Sequence, residues 1–295
     1  VLMGILTLFL ILCVYLLYGM RKDALQLSDN LAGYMRHSVD NRLDEIRKNT
    51  ILFELSTTNS KLTKINTSED VVLSDAYTFC DQLRNYRISS KLADHVMVYY
   101  TKMNFTAGNL GFYDTRSYDS LMTIADGMPF DLRQIIQSQN PETQFIYNAG
   151  SSQLFYIREM HFEGNAVGYI LVRINVDELL KSVHAFSNNT TADFGILFGE
   201  NIVAYTGSSE DEAGLSGLLE ADSSENVIRE KQDLLVYTHP SSQYKGITYI
   251  VRYRQSDLFR SIYIAAAVCS VGLIFCLILG ICMSINIIRR NTKPL

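Results

Sequence analysis

Two long apolar runs without a charged residue, Val1 to Met20 and Ser261 to Ile288, stand at the two ends of the chain. A helix rises about 1.5 Å per residue, so about 20 apolar residues are enough to cross roughly 30 Å of hydrocarbon. The first run is longer than the apolar core of a signal peptide, about 7–15 residues, and leads into Arg21 and Lys22 without a small-x-small cleavage site. We therefore predict two transmembrane helices, the first an uncleaved anchor rather than a signal peptide.

A long amphipathic helix is predicted to continue from the first run. Its apolar positions recur at spacings of three, four and seven residues, at Leu31, Met35, Val39, Leu43, Ile46 and Phe53. Charged residues fill most of the positions between them, from Asp40 to Lys48. The stripe predicts a helix that packs on its own domain. A further contact between two copies of the chain is a second possibility that this pattern leaves open.

The central part of the chain alternates between helical and β-like patterns. We predict a helix with Val72, Ala76, Phe79, Leu83 and Tyr86 on one side, after an N-cap at Ser68. Strands are predicted at 95–100, 154–158 and 167–174, and helices at 130–137, opened by Pro129, and at 177–185. A second set of strands follows the polar stretch 187–191: a hairpin of 194–198 and 202–206 around Gly199, then 234–239 and 247–253. This pattern indicates an α+β fold with mainly antiparallel sheets.

The predicted organisation has six parts. They are transmembrane helix 1 (1–20), a long stalk helix (21–60), a membrane-distal module (61–187), a membrane-proximal module (188–258), transmembrane helix 2 (261–288) and the start of a linker (289–295).

Charge indicates the orientation of the two runs. Arg289, Arg290 and Lys293 follow the second run, and basic residues next to a span stay in the cytoplasm. We therefore expect both termini inside and residues 21–260 outside. All 31 acidic residues and 23 basic ones lie in that segment, which gives it a net charge of about −8. An acidic exterior argues against nucleic acid as its ligand.

The cysteines do not suit a disulfide-stabilised exterior. Four of the five lie in the apolar runs, and Cys80 is the only one between them. No bridge can form within the exterior segment, so its stability must come from apolar cores, which about 240 residues can supply. This usage fits a bacterial surface protein better than a secreted animal one.

Motifs for catalysis or metal binding are absent from the sequence. It contains no zinc-protease helix motif, nucleophile elbow, P-loop or dinucleotide-binding glycine pattern. The five histidines are dispersed, and no Cys/His cluster has the spacing of a metal site. We therefore expect this segment to be no enzyme and to carry no metal or other cofactor.

Three stretches resemble the double Cache sensor domains of bacterial two-span receptors, which consist of two tandem PAS-like modules on a long helix. They are 155–158 with 168–180, then the hairpin 194–204, then 242–249, where Ile247 replaces a common tryptophan. The end of the chain, 289–295, resembles the junction that leads either into an AraC-type transcription regulator or into a sensor histidine kinase, with the regulator slightly favoured.

The resemblance implies a receptor that binds a small extracellular solute, works as a homodimer and signals to a cytoplasmic output, such as a DNA-binding domain, beyond Leu295. It places the solute in the distal module, and the matching strand and loop positions are Tyr99, Arg116, Tyr118, Tyr156 and Arg158. The chain has no tryptophan, so it departs from the amino-acid-binding subset of the family. The alternative is an exterior domain that binds a partner protein or the cell wall and needs no solute pocket.

Overall fold

The computed structural model describes residues 2–65, 67, 70–139, 143–187, 192–207, 227–231 and 234–291. The predicted N-cap Ser68, the polar stretch 188–191 and the linker residues 292–295 lie outside these ranges. The chain divides into two compact units. One contains residues 1–31, 229–236 and 252–295, and the other contains 32–228 and 237–251.

The helices and strands follow one another in an α+β order. The helices are α1 (Leu2–Glu54), α2 (Thr57–Thr63), α3 (Leu73–Ser90), α4 (Thr115–Asp126), α5 (Leu132–Gln137), α6 (Val176–Ser187), α7 (Gln255–Leu258) and α8 (Arg260–Asn291). The strands are β1 (Ala93–Tyr100), β2 (Phe105–Gly108), β3 (Gly111–Asp114), β4 (Phe145–Asn148), β5 (Gln153–Phe162), β6 (Asn165–Ile174), β7 (Ala192–Phe198), β8 (Asn201–Tyr205), β9 (Val227–Lys231), β10 (Leu234–Pro240) and β11 (Ile247–Arg254). The α+β prediction, with antiparallel sheets and a long N-terminal helix, is confirmed.

The buried face of α1 agrees with the predicted stripe. Met35, Val39, Leu43 and Ile46 are each at most 1% exposed, as helical spacing on one face requires. Asp40 also lies on the buried side and is fully buried, although its charge suggested a solvent position. Burial of a carboxylate is unfavourable unless hydrogen bonds compensate it, so the partners of Asp40 matter for the fold.

Asp40 is held by the loop between β10 and β11 and by β11 itself. Oδ1 accepts hydrogen bonds from Ser241 Oγ at 2.6 Å and Tyr249 Oη at 2.5 Å. Oδ2 accepts from the Ser242 amide at 3.1 Å and from Ser242 Oγ at 2.8 Å. Four donors therefore surround one buried carboxylate and attach this loop to α1.

The first sheet has the strand order β3-β2-β1-β6-β5-β4. Its neighbours pair antiparallel, with Tyr99 opposite Tyr169 across β1 and β6 and Ile157 opposite Leu171 across β5 and β6. The central strands β1 and β6 read as nearly continuous apolar runs because both of their faces are covered by helices.

Helices α2 and α3 and the end of α1 pack on one face of this sheet. Tyr100 Oη donates to Asn59 Oδ1 of α2 at 2.7 Å. The rings of Phe53 and Tyr86 meet edge to face at 5.2 Å. The predicted stripe of α3 is confirmed at Ala76, Phe79, Leu83 and Tyr86, which are buried. The exposed Val72 is instead the N-cap residue.

The structure differs from the prediction at two helices, α5 and α4. Helix α5 begins at Leu132 rather than at Phe130, because the Asp131 side chain accepts a hydrogen bond from the Gln134 amide at 3.0 Å and caps it there. Pro129 therefore precedes the helix instead of opening it. Helix α4 was not predicted at all. The Asp114 carboxylate caps its start through the Ser117 amide, and Gly127, with φ of 68°, ends it.

The second sheet has the order β8-β7-β11-β10-β9. The predicted hairpin of β7 and β8 is confirmed, with antiparallel pairing and a turn at Gly199, whose φ of 59° suits a glycine. The two predicted strands β10 and β11 are also confirmed, and β9 is an additional strand.

The terminal unit contains the apolar helical segments. Among the described residues, one helical stretch, Arg260–Asn286, has the length and apolar composition needed to cross a membrane. Within this unit the Arg21 guanidinium lies 5.7 Å from the centre of the Phe259 ring, and the Phe9 ring lies against Gly272. Crossing of a membrane by the first run remains a prediction.

Candidate functional site

The second face of the first sheet, which we call the helix-covered face, lies under α4 and α5. Side chains alternate between the faces of a strand, so every second residue of β1, β5 and β6 points toward these helices. This arrangement creates one apolar cluster from Met97, Tyr99, Phe155, Ile157 and Leu171 of the sheet and Tyr118, Met122, Phe130, Leu132 and Ile135 of the cover.

Tyr118 of α4 lies at the centre of the helix-covered face and is fully buried. Its ring lies over Gly108 of β2, where any added Cβ would overlap the phenol. The hydroxyl approaches the Leu110 backbone, and no described residue completes a hydrogen bond of normal geometry with it. Burial raises the pKa of Tyr118 well above the usual value. Because the hydroxyl is buried in this cluster, an acceptor outside the protein reaches it only if α4 moves away from the sheet.

One end of the helix-covered face carries polar side chains around Asn104. Its amide oxygen accepts from Arg133 Nη2 and lies 3.5 Å from Tyr99 Oη. Nearby on the sheet, Tyr169 Oη donates to Glu159 Oε1 at 3.2 Å. Burial, the largest effect, and the Glu159 charge raise the pKa of Tyr169. These groups supply both donors and acceptors beside an apolar cluster, which is typical of a solute site.

The other end of the same face contains a buried arginine. Arg173 of β6 is 9% exposed and forms an ion pair with Asp126 at the end of α4. Its Nε lies 3.9 Å from Asp94 Oδ2. The neighbouring His95 is also buried, and its Nδ1 lies 3.2 Å from Asn109 Nδ2. Burial, followed by the nearby Arg173 charge, lowers the pKa of His95 to about 4, so it is neutral at pH 7.

The structure brings two of the five predicted ligand residues together. Tyr99 and Tyr118 belong to the same apolar cluster on the helix-covered face. Arg116 and Tyr118 were assigned to strand and loop positions, and both lie instead on α4. Arg116 is exposed on that helix, one turn before Ser120, whose hydroxyl donates to the Arg116 carbonyl.

The other two predicted residues lie on the opposite face. Tyr156 and Arg158 alternate along β5 with Phe155 and Ile157, so they point toward the face covered by α1 and α2. The Arg158 guanidinium donates from Nε to Glu54 Oε2 of α1 at 2.7 Å. One solute cannot contact Tyr118 and these two residues at once, since the sheet lies between them.

Sequence reasoning missed Asn104, Asp126, Arg133 and Arg173. A charged residue near the end of an apolar strand, as Arg173 is in β6, was the only signal available before the structure. The other three depend on contacts between residues 29 to 47 positions apart.

The described residues include no group of three or more His, Cys, Asp or Glu side chains placed to hold a metal ion. The polar groups of the helix-covered face are instead donors and acceptors suited to an organic solute.

No protein-family model matches the chain, and no curated protein matches it either. Among solved structures, the chain is similar to the extracellular domain of vpHK1S-Z8, which is assigned as a histidine kinase. That comparison has a TM-score of 0.51 and 9% identity, and it covers 82% of this chain and 95% of that one.

Two ligand-binding domains are similar to the same extent. The ligand-binding domain of the Campylobacter jejuni chemoreceptor Tlp3, in complex with L-norvaline, gives a TM-score of 0.51 and 11% identity over 81% of this chain and 94% of that one. The ligand-binding domain of Mlp24 with asparagine gives a TM-score of 0.51 and 12% identity over 82% of this chain and 98% of that one. The similarity establishes a shared fold, and it confirms the resemblance to double Cache sensor domains at that level.

Proposed function

We propose that this chain is the input part of a bacterial membrane receptor, in which residues 21–260 bind a small solute outside the cell. The fold supports the proposal most directly, because sensory and ligand-binding domains share it over more than four fifths of the chain. The helix Arg260–Asn286, which is long and apolar enough to span a membrane, supports anchoring. In this proposal both termini lie in the cytoplasm and the segment itself catalyses no reaction.

We place the solute on the helix-covered face, beside Tyr99 and Tyr118. The Tyr118 hydroxyl offers a donor inside an apolar cluster, and Asn104 with Arg133 offers polar groups at its edge. Arg116 lies two residues before Tyr118 on α4, about 200° away around the helix axis, so its exposed side chain faces away from this place. For Tyr156 and Arg158 we propose a different role, the attachment of the sheet to α1.

Signal transfer needs a solute that prefers one conformation of the domain, and that preference limits the shift in the equilibrium. We propose that α1 and α8 carry the shift inward as a small axial or rotational movement within a homodimer. Exposed apolar side chains on α1, such as Tyr34 and Leu52, give a second copy a surface to contact. The homodimer is testable by measuring the molar mass of the purified chain in detergent.

We propose an AraC-type transcription regulator as the output beyond Leu295, on the resemblance of residues 289–295. A histidine kinase is the second candidate, and the shared fold with the extracellular domain of vpHK1S-Z8 favours it. The sequence that continues after Leu295 distinguishes them, since a helix-turn-helix pattern indicates the regulator.

A solute screen tests the sensing function. Sugars, organic acids and amino acids are added to the purified chain, and the melting temperature is followed by far-UV circular dichroism. We expect at least one class to raise it saturably, and Tyr118→Phe to weaken the effect. The matched control is Tyr113→Phe, which removes a hydroxyl from the more exposed ring of β3.

Crosslinking tests transmission. Cys276 is exposed on α8, so a variant that keeps it and replaces the other four cysteines by alanine reports contact between two α8 helices. The stabilising solute should change the rate of disulfide formation at this position. If no solute stabilises the chain and the exterior segment instead self-associates or binds the cell wall, the alternative of an exterior domain that binds a partner or the wall is favoured.

A further inference from the structure

Helix α4 is fastened to the first sheet differently at its two ends. Its last residue, Asp126, accepts a hydrogen bond from Nη1 of Arg173 on the central strand β6, and both side chains are largely buried. At the other end Thr115 donates its amide and its Oγ1 to the Asn104 carbonyl, at 3.1 and 2.9 Å. The two ends lie about 17 Å apart along the helix. The ion pair at one end can therefore break while the neutral bonds at the other end remain.

The ion pair between Asp126 and Arg173 is not of the strongest kind. Nε of Arg173 has no hydrogen-bond partner among the described residues, so the guanidinium does not hold Asp126 through two parallel bonds. Asp126 also lies at the carbonyl end of α4, where partial negative charge makes an aspartate unfavourable for the helix alone. An acidic residue at this position therefore serves the contact with Arg173 rather than the helix.

A second carboxylate lies beside the same guanidinium. The pairing of β1 with β6 shifts register between Ala93 and His95, which makes Asp94 the extra residue of a bulge. A bulge re-aims a side chain, and here Asp94 Oδ2 lies 3.9 Å from Arg173 Nε. The Asp94 side chain is 41% exposed, so it has room to move. A movement of about 1 Å turns this contact into a hydrogen bond of normal length.

The second carboxylate matters most when α4 leaves the sheet. A buried charge that loses its partner is strongly unfavourable, so departure of Asp126 alone would leave Arg173 in such a state. Asp94 removes this penalty by accepting the guanidinium. While α4 is on the sheet, Arg173 is already paired with Asp126 and gains less from Asp94. Asp94 consequently stabilises the departed position of α4 more than the packed one.

We propose that Asp126, Arg173 and Asp94 form a two-position latch, in which Arg173 holds α4 on the sheet through Asp126 and passes to Asp94 when α4 lifts. The latch rests on the solute place proposed beside Tyr118, since it determines how often α4 uncovers that place. Entry of a solute is thus limited by an exchange of partners at Arg173, at the far end of α4 from Asn104.

Thiol labelling measures how often α4 lifts. Met122 lies one turn after Tyr118 on α4 and is fully buried in the apolar cluster, so Met122→Cys introduces a thiol that reagents reach when α4 lifts. The full chain in detergent is treated with iodoacetamide, and the labelled peptides are quantified by mass spectrometry. Cys80, buried on α3, is the internal control for opening elsewhere in the domain.

Two aspartate variants in this background should have opposite effects. Asp126→Asn replaces a charged hydrogen bond by a neutral one and should speed labelling at position 122 about tenfold. Asp94→Asn removes the partly exposed partner of the lifted position and should slow it about threefold. The control Asp81→Asn removes an exposed carboxylate that pairs with Arg84 on α3 and should change nothing.

The opposite signs distinguish a latch from a purely structural cluster, in which loss of either aspartate would loosen α4. The proposal is overturned if Asp94→Asn speeds labelling or leaves it unchanged, or if Asp126→Asn has no effect. It is also overturned if Cys80 labelling accelerates in parallel, because the domain as a whole then opens. Misfolding cannot imitate the slower labelling expected for Asp94→Asn.

Failure of the latch is separable from failure of the sensing function, because the labelling needs no solute. Opposite effects of the two variants support the latch even if no solute stabilises the chain. Conversely, a solute that stabilises the chain while both variants are labelled like the unaltered latch leaves the sensing function intact and refutes only the latch.

Discussion

Replacement of Asp40 by asparagine is the most informative test of how the second sheet is attached to α1. The carboxylate accepts four hydrogen bonds, two at each oxygen. Asparagine keeps one oxygen, and the fixed Ser242 amide requires that oxygen to replace Oδ2. The amide nitrogen then faces Tyr249 Oη, which must rotate to become an acceptor, and Ser241 Oγ, whose lone pairs already accept from the Gln243 and Tyr244 amides.

The expected loss follows from the two bonds that change. A hydrogen bond to a charged group contributes about 1.5–3 kcal/mol and a neutral one about 0.5–1.5 kcal/mol, so two such changes give a loss of about 2 kcal/mol. Relief from burying a charge opposes this loss. With four donors in place we expect the hydrogen bonds to dominate. Asp40→Ala leaves all the donors without their acceptor and should lose about 4 kcal/mol.

The assay is thermal unfolding of the purified chain, followed by far-UV circular dichroism. A loss of about 2 kcal/mol corresponds to a fall of roughly 4–8 °C in Tm. Asp44→Asn is the matched control: it lies one turn later on α1 and pairs with Arg47 and Lys48 near the surface. It should lose less than about 1 kcal/mol. If Asp40→Asn is as stable as the unaltered chain, the buried charge costs as much as its hydrogen bonds contribute, and the reasoning is wrong.

Three further predictions concern the first sheet. Gly108→Ala should lose about 1–3 kcal/mol by overpacking against the phenol, and part of that loss should be recovered in a Tyr118→Phe background, measured by urea unfolding. Since the folded pKa of His95 is about 4 and its ordinary value 6.5, the unfolded chain binds the extra proton between these values. The contribution of His95 to the free energy of unfolding, up to about 3 kcal/mol, is present above pH 6.5 and is lost as the pH falls toward 4. As the pH falls from 6.5 to 4, the free energy of unfolding should decline less in His95→Gln than in the unaltered chain, and an equal decline would refute the prediction. For Arg158 and Glu54, a double-mutant cycle with alanine should give a coupling of about 1 kcal/mol, and additive losses would show that the ion pair is immaterial.

The longer elements could be predicted because each has a recognisable pattern of apolar residues within its own sequence. The apolar runs of β1 and β6 and the stripe of α1 extend over enough residues to show which faces are buried. The four-residue strands β2 and β3 are too short to display alternation, and they pair only because β1 lies beside them. For α4 the signals were present, an aspartate cap and a terminal glycine, but no helix was predicted from them.

The candidate site was predictable only in part. Tyr99 and Tyr118 were chosen because they match the ligand positions that the resemblance to double Cache domains implies, and the structure places them in one cluster. Tyr156 and Arg158 were chosen in the same way, yet the phase of β5 relative to its neighbours decides which face each residue occupies. Asp40 shows the limit most clearly, since the groups that permit its burial are about 200 positions away.

The two attachments on α1 are separated by a fixed helical phase. Asp40 holds the β10–β11 loop, and Glu54 holds Arg158 of the first sheet. Fourteen residues make about 3.9 turns, so the two carboxylates leave the helix axis within about 40° of each other. One inserted residue between them would rotate the attachments apart by about 100°, whereas seven would restore the angle to within about 20°. The length of this segment is therefore constrained in steps of whole turns, independently of the residues on its exposed side.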